Sequence, residues 1–375
     1  MTRYLLISPD YPPPFVGGSL VYIHNLLTNS HLKFDVLTNN NSRKNDNFIS
    51  HIESKYMINS NSPGAFDLIK MYIYLFFISI TIRKYEVIVL NVSVIGNGML
   101  AFLLNFLGRK TIIISYAEEI TMSMNAPGMK GAIKRLFLSL YKKTNAIVSV
   151  SNFAKEILEN KVGVLSPIYV IPTPLHTLKT LNGHNKPLAK KKGQILSVGR
   201  LIKRKGFVNL IRAFEVIKNS IPRATLIIVG SGPEYNELNN EISKLGLSES
   251  VFIYQNISDK NLSNFYLSSE LFVLANLLLE NGDCEGAPNV IVEASSFGLP
   301  VVAGVYGGVS DVVNHTVTGY LVDTKNIEDI SSNVINLLND EKLMNSMSNN
   351  SVNKVRTDHD KNKAGLTFSK IIKNI

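Results

Sequence analysis

Three stretches of the sequence place residues whose types and spacing suit chemistry on an anionic, hydroxyl-rich ligand. The first is VGRLIKRKGF at Val198–Phe207, where an apolar run ends at Val198, Gly199 allows a tight exit, and Arg200 and Lys205 precede Gly206 at a helix start. Cations between a strand's carboxyl end and a helix N-terminus fit a diphosphate, Arg through its planar fork and Lys as a point charge. A solvated basic loop has the same composition. The second is ENGDCEGAPNVIVE at Glu280–Glu293, with Glu285 in a Gly-containing loop and Glu293 in the first turns of an apolar helix starting near Asn289. A carboxylate so held can accept hydrogen bonds from vicinal hydroxyls, as a ribose offers, and the N–H groups at the helix start can meet phosphate or sugar oxygens. Pro288 has no N–H, which leaves Asn289 and Val290 as donors. Two unrelated surface glutamates are the plainer alternative. The third is YPPPFVGGS at Tyr11–Ser19, where Gly17 and Gly18 permit close backbone approach at a helix start. Gly-Gly turns are common, so this stretch alone carries little. A fourth stretch, VGSGPE at Val229–Glu234, imitates a dinucleotide fingerprint but has Tyr235 where the third glycine belongs, and reads as a strand-to-helix turn.

The elements that must position these residues follow from periodicity. Short β-rich runs fall at Arg3–Ser8, Phe34–Thr38, Glu86–Leu90, Thr111–Ser115 and Ala146–Val150, with helix-length segments near 18–29, 64–83, 95–107 and 128–143. After a polar stretch at 172–193 containing Pro172, Pro174, Gly183, Pro187 and Lys190–Lys192, the alternation resumes. Strands are expected at Gln194–Val198, Ala224–Val229, Val251–Tyr254, Leu271–Ala275, Pro300–Ala303 and Gly319–Val322, and helices near 206–219, 233–245, 259–268, 289–298 and 326–339. Continuous apolar strands between helices imply parallel sheets covered on both faces. Ligands of such sheets bind beyond the strands' carboxyl ends, and a cleft between two such halves suits a large polar ligand.

Composition sets outer bounds. The 375 residues suit two or three domains, and 45% hydrophobic against 18% charged residues can bury full cores. A net charge of +10 favours an anionic partner, and the single Cys284 excludes an intramolecular disulfide framework or a Cys-rich zinc site. The most apolar stretch, Met71–Ile82, falls short of the roughly 20 residues that cross a bilayer. Flanked by Lys70, Arg83 and Lys84, it reads as a core helix or as one touching a membrane surface.

The ordered set PPPFVGG, VSVSNFAKEIL (148–158), SVGRLIKRKG (197–206), IIVGSGPE (227–234), CEGAPNVIVEASSFGLPVV (284–302) and GGVSDVV (307–313) resembles the retaining glycosyltransferases of family 4, over nearly the whole chain. The resemblance implies an α/β fold of two facing Rossmann-like doubly wound domains (GT-B) with an interdomain cleft. The expected division is an acceptor-side domain at 1–175, a linker at 176–193, a nucleotide-sugar domain at 194–359 and a helix returning to the first domain at 360–375. It further implies a UDP- or GDP-linked sugar donor as substrate, with no cofactor and no required metal. By resemblance Arg200 and Lys205 neutralise the donor diphosphate and Glu293 binds ribose hydroxyls. Glu285 and the backbone of Gly286, Ala287, Pro288, Asn289 and Val290 hold the transferred sugar. Gly17 and Gly18 let the first domain approach the phosphates, and base contacts fall to backbone near Gln255–Ile257.

The sequence departs from the family pattern twice. Pro288 replaces the second glycine of the usual E-G-F-G loop, and Ser115–Glu119 lacks the histidine that many relatives carry there. Glu118 or Glu119 is left either to serve the acceptor side, with Glu119 the catalytic candidate, or to cap a helix, and His24 reads as structural. The expected function is retaining transfer of a sugar to a hydroxyl of a lipid-linked glycan acceptor in surface polysaccharide biosynthesis, either in the cytoplasm or peripheral on the inner face of the plasma membrane. A nucleotide-sugar 2-epimerase and a non-catalytic glycan- or nucleotide-binding subunit are the competing readings. No RNA- or DNA-binding module is present to explain the charge.

Overall fold

A computed structural model describes residues 4–9, 11, 18–38, 49–53, 84–175 and 189–375. The expected helix at 64–83, the apolar segment Met71–Ile82, Gly17 and most of the expected linker lie outside these residues. The chain divides into two compact units, one comprising the described residues of Met1–Pro174 with Glu280–Gly282 and Lys361–Ile375, the other Leu175–Leu279 with Asp283–Asp360.

In the first unit the elements run β1 (Tyr4–Ile7), α1 (Gly18–Asn29), β2 (Phe34–Thr38), β3 (Ile49–Glu53), β4 (Val87–Leu90), α2 (Val94–Phe106), β5 (Lys110–Ser115), α3 (Ala117–Asn125), α4 (Gly128–Ser139), β6 (Ala146–Ser149), α5 (Asn152–Ile157) and β7 (Ile168–Val170). The strands form one parallel sheet in the order β3-β2-β1-β4-β5-β6-β7. Runs such as YLLI and VIVL are buried along their whole length because helices cover both faces. The strands that periodicity missed, β3 and β7, are the two edges, and β7 is only three residues long, with Tyr169 exposed and Ile168 and Val170 half-buried.

The second unit runs β8 (Gln194–Val198), α6 (Phe207–Ser220), β9 (Thr225–Val229), α7 (Tyr235–Lys244), β10 (Val251–Tyr254), α8 (Asp259–Ser268), β11 (Leu271–Leu274), α9 (Asn289–Ser296), β12 (Val301–Gly304), β13 (Gly319–Val322), α10 (Ile327–Asn339) and α11 (Glu341–Asp358). Its parallel sheet has the order β10-β9-β8-β11-β12-β13. Helix α11 was not expected, because only Met347, Ser351 and Val355 are buried along its 18 residues, one position per turn in a polar sequence.

The last helix, α12 (Lys361–Asn374), belongs to the first unit and packs on α1. Phe368 is fully buried there and stacks on Phe34 of β2, with ring centroids 6.3 Å apart and planes 12° from parallel. Ala364, Ile371 and Ile372 are buried beside it, giving the apolar spacing of a helix seated on a core. Replacing Phe368 by Ala should therefore destabilise the first unit by about 3–5 kcal/mol. Urea denaturation with a probe specific to that unit would read the loss, and an unchanged midpoint would contradict this packing.

Candidate functional site

In the second unit β8 pairs with β9 on one side and β11 on the other. The connection from β8 goes to one side of the sheet and that from β11 to the other, so a crevice opens beyond their carboxyl ends, where ligands of doubly wound sheets bind. The loops that follow these two strands are 199–206 and 275–288, and they hold the residues singled out from the sequence.

The loop after β8 is pinned from below. Gly199 N–H donates to Val229 O at 2.9 Å and Leu201 N–H to Ser231 O at 3.0 Å. A Cβ on Gly230 would stand 1.7 Å from Gly199 O, so the Gly-Ser-Gly turn after β9 is required for this close approach. That is a physical role for a stretch whose pattern failed as a dinucleotide fingerprint. Gly206 closes the loop at φ +63°, and its α-carbon faces Ala275 O so closely that no side chain fits.

On this scaffold four charged side chains meet. Arg204 Nη1 bonds Asp283 Oδ1 at 2.8 Å and its Nε bonds Glu285 Oε1 at 3.0 Å, while Lys205 Nζ meets Glu285 Oε2 at 3.0 Å. Lys205 and Glu285 are both buried, and the methylenes of Lys205 lie against Gly199. Burial alone would push the Glu285 carboxyl up, but the adjacent Lys205 and Arg204 cations outweigh it and hold it below the usual carboxylate range. The Glu285 backbone is fixed as well, since Gly308 N–H donates to Glu285 O at 2.9 Å and Gly307, at φ +79°, leaves no space for a Cβ. Arg200 stands apart from this cluster, exposed and without an ion pair among the described residues.

Gly286, Ala287 and Pro288 connect Glu285 to α9, which begins at Asn289 with no side-chain cap on its first turn. Glu293 lies one turn in. Tyr266 Oη, from α8, donates to its Oε2 at 2.9 Å. Burial pushes Glu293 up to about 7; the phenol's hydrogen bond lowers it in part and Asp259 raises it. The structure thus brings Glu285 together with Lys205, holds Arg200 in the same loop, and gives Glu293 a buried phenolic partner.

The other candidates lie in the first unit. Gly18 is exposed at the start of α1. Tyr116 Oη donates to Ser19 O at 3.1 Å, with Asn91 Oδ1 at 3.2 Å, and Asn91 Nδ2 donates to Ser8 Oγ at 3.0 Å, so the ends of β1, β4 and β5 share one polar cluster. Glu119 Oε1 accepts from Ser115 Oγ at 3.2 Å and from Tyr116 N–H at 3.3 Å. The carboxyl therefore caps its own helix, and burial pushes it up to about 8. His24 Nδ1 and Tyr11 Oη share a 2.9 Å hydrogen bond. Among the described residues no group of three or more His, Cys, Asp or Glu side chains is placed to hold a metal ion.

Sequence reasoning passed over Arg204, Asp283 and Tyr266. Arg204 and Asp283 stood inside the quoted motifs, and the signal for them was opposite charge: the β8 loop carries an excess of cations and the β11 loop an excess of carboxylates. Tyr266 gave no local signal, since its contact with Glu293 spans 27 positions.

The family described as "Glycosyl transferases group 1" matches residues 181–354. That match covers a little under half of the chain. The chain is 35% identical over 173 residues to an uncharacterized glycosyltransferase of Haemophilus influenzae, covering 46% of this chain and 47% of that protein. It is 31% identical over 239 residues to the GDP-mannose-dependent alpha-(1-6)-phosphatidylinositol monomannoside mannosyltransferase of Mycobacterium tuberculosis, covering 62% of this chain and 61% of the relative. These matches span about half to three fifths of the relatives' lengths. Among solved structures, sucrose-phosphate synthase from Thermosynechococcus elongatus superposes with a TM-score of 0.81 at 17% identity, over 100% of this chain and 99% of that one. That likeness shows the fold, the α/β class with two Rossmann-like doubly wound domains that the sequence led us to expect.

Two measurements test the geometry of the second unit. Replacing Lys205 by Met leaves Glu285 buried beside Arg204 alone, and should cost about 3–5 kcal/mol of unfolding free energy. A loss under about 1 kcal/mol, the range of an exposed pair, would mean that the pair is solvated. Glu293 supplies a pH test. Its folded value near 7 lies above the ordinary 4.5, so the native state binds more protons than the unfolded chain between those limits. The stability it contributes is complete below about pH 4.5 and is lost as pH rises through about 7. Glu293→Gln, which cannot ionise, should gain on the parent protein over that window and hold a constant difference above it, as read by thermal melts from pH 4.5 to 8.

Proposed function

We propose that the protein is a retaining glycosyltransferase that moves a sugar from a nucleoside-diphosphate sugar to a hydroxyl of a lipid-linked glycan, in the building of surface polysaccharide. The observation that carries this reading is the Arg204–Lys205–Asp283–Glu285 cluster with Arg200 beside it, set at the topological switch of the unit that the group 1 glycosyltransferase family matches. The resemblance of the sequence motifs supports retention and the polysaccharide setting. The mycobacterial relative, by its name, takes a GDP-linked sugar and a phosphatidylinositol-based acceptor, which supports a UDP- or GDP-linked donor and a lipid acceptor here.

The cluster carries two cations and two carboxylates, so its charge closes internally. Its role is to present Glu285 ionised and fixed, ready to accept hydrogen bonds from hydroxyls of the transferred sugar, with the backbone of Gly286–Val290 alongside. Lys205 reaches the donor phosphates from its anchor on Glu285, and Arg200 supplies the uncompensated positive charge. The reaction breaks the bond from the anomeric carbon to the phosphate oxygen and forms the bond to the acceptor oxygen on the same face. The acceptor proton passes to the departing phosphate oxygen, so no side-chain base is required. Negative charge grows on the nucleoside diphosphate, and Arg200, Lys205 and the uncapped start of α9 stabilise it without a metal. Glu293, once ionised, accepts from the ribose hydroxyls. Gly17 and Gly18 serve the donor phosphates. Glu119 serves the acceptor side in place of the absent histidine, as a neutral carboxyl that can donate a hydrogen bond.

Replacing the exposed Arg200 by Ala should lower turnover by about 10²–10³, the scale for losing one transition-state donor, with the melting temperature unchanged. Near-parental turnover would remove Arg200 from the diphosphate site. Thermal-shift screening with UDP, GDP, ADP and their sugars should single out one base, since ligand at about 100 times its Kd adds about 2.7 kcal/mol. Activity retained in EDTA, with the donor's anomeric configuration kept in the product by NMR, is the expected outcome; an inverted anomer would overturn the retaining assignment. Conversion of the donor without any acceptor into an epimer would favour the epimerase reading.

A further inference from the structure

Helix α4 has its apolar stripe on the wrong side for a globular protein. Met129, Ile133 and Leu136 recur at helical spacing, yet Met129 is 81% exposed and Leu136 62%, while the inner face is made by Gly131 and Leu138. A surface helix ordinarily turns such a stripe to the core. The neighbouring α2 extends the surface. Gly98 backs onto Phe137 O and Asn105 Nδ2 donates to Lys143 O at 2.6 Å, so the two helices run side by side in the same direction. At the far end of α2, Phe106 is 81% exposed, with Phe102 also open to solvent.

The charge around this surface has one sign. From Ile120 to Lys155 the sequence carries six Lys or Arg and no Asp or Glu. Lys130 and Arg135 flank the stripe on α4 itself, and Lys142 and Lys143 follow its end, all four exposed. An outward apolar stripe edged by cations is the pattern of a helix lying in the interface of an anionic bilayer, apolar face among the acyl chains and cations at the headgroups. Among the described residues no helix is long and apolar enough to cross a membrane.

We propose that the α4–α2 face of the first unit is a docking surface for an anionic lipid bilayer. This deepens the reading of a lipid-linked acceptor, and rests on it only for its purpose, since the surface is defined by exposure and charge alone. Each cation at such a surface strengthens binding roughly fivefold at moderate salt, and the apolar stripe sets the depth of insertion.

The test is vesicle co-sedimentation of the purified full-length protein with phosphatidylcholine vesicles, with and without phosphatidylglycerol, alongside hydrolysis of the donor sugar in free solution. The protein should bind the phosphatidylglycerol vesicles and not pure phosphatidylcholine, and rising salt should weaken that binding. The triple variant M129S/I133S/L136S and the charge variant K130E/K143E should each lose binding by about tenfold or more, with donor hydrolysis and melting temperature unchanged. Equal vesicle binding by both variants would overturn the surface. So would concentration-dependent self-association in the parent protein that the triple variant abolishes, since a second copy would then cover the stripe. Loss of donor hydrolysis in the parent protein would count against the enzyme reading and leave the surface standing.

Discussion

The architecture around the candidate site depends on one buried carboxylate. Glu285 is taken out of water beside two cations, and each of its oxygens meets one of them at 3.0 Å. An ion buried without a partner costs several kcal/mol even after relaxation, so neither side of this arrangement is tolerable alone. Both cations come from the loop after β8 and both carboxylates from the loop after β11. The pairing therefore stitches together the two loops that border the topological switch. The glycines around it follow from the same demand. Gly199 and Gly206 let the cationic loop lie flat against its neighbours, and Gly307 and Gly308 let the chain close behind the Glu285 backbone.

The same loop-helix segment holds a second carboxylate tuned the opposite way. Glu285 is held down by Lys205 and Arg204, whereas Glu293, eight residues on, is raised by burial with only a phenol to offset it. Two carboxylates with divergent affinity for a proton can take different roles. Glu285 is already a charged acceptor with its orientation fixed. Glu293 is poised near neutrality, so a ligand that donates hydrogen bonds to it draws it into the ionised form as it binds. A diol edge has that property, and Tyr266 keeps the carboxylate aimed while one of its oxygens remains available.

What the sequence made legible was whatever is local and doubly covered. The strands YLLI, VIVL and QILSV read directly because both faces are buried. The edge strand Ile168–Val170 did not, being only half covered, and α11 hid because one buried position per turn leaves a polar string. At the site, Arg200, Lys205, Glu285 and Glu293 were legible as motif positions, but their partners were not. Lys205 was read as a free cation for phosphate and proves to be anchored to Glu285, a contact 80 residues distant that no spacing rule encodes. Glu119 was left between two roles, and the structure supplies the capping contacts without removing the other.

The net charge of +10 also resolves into parts with different physical meaning. Arg204 and Lys205 lie within an internally neutral cluster, so they contribute nothing to the long-range field despite standing at the site. Arg200 is exposed and has no ion-pair partner among the described residues, so its charge is left open to solvent. The excess on α4 and just beyond it faces solvent next to exposed Met129, Ile133 and Leu136. Salt screens such charges beyond about 8–10 Å, so they are useful only against a surface that comes into contact. A positive sequence can thus be neutral at a buried, paired cluster and charged on an exposed helix face. Burial and pairing, rather than the count of Lys and Arg, decide which residues belong to which.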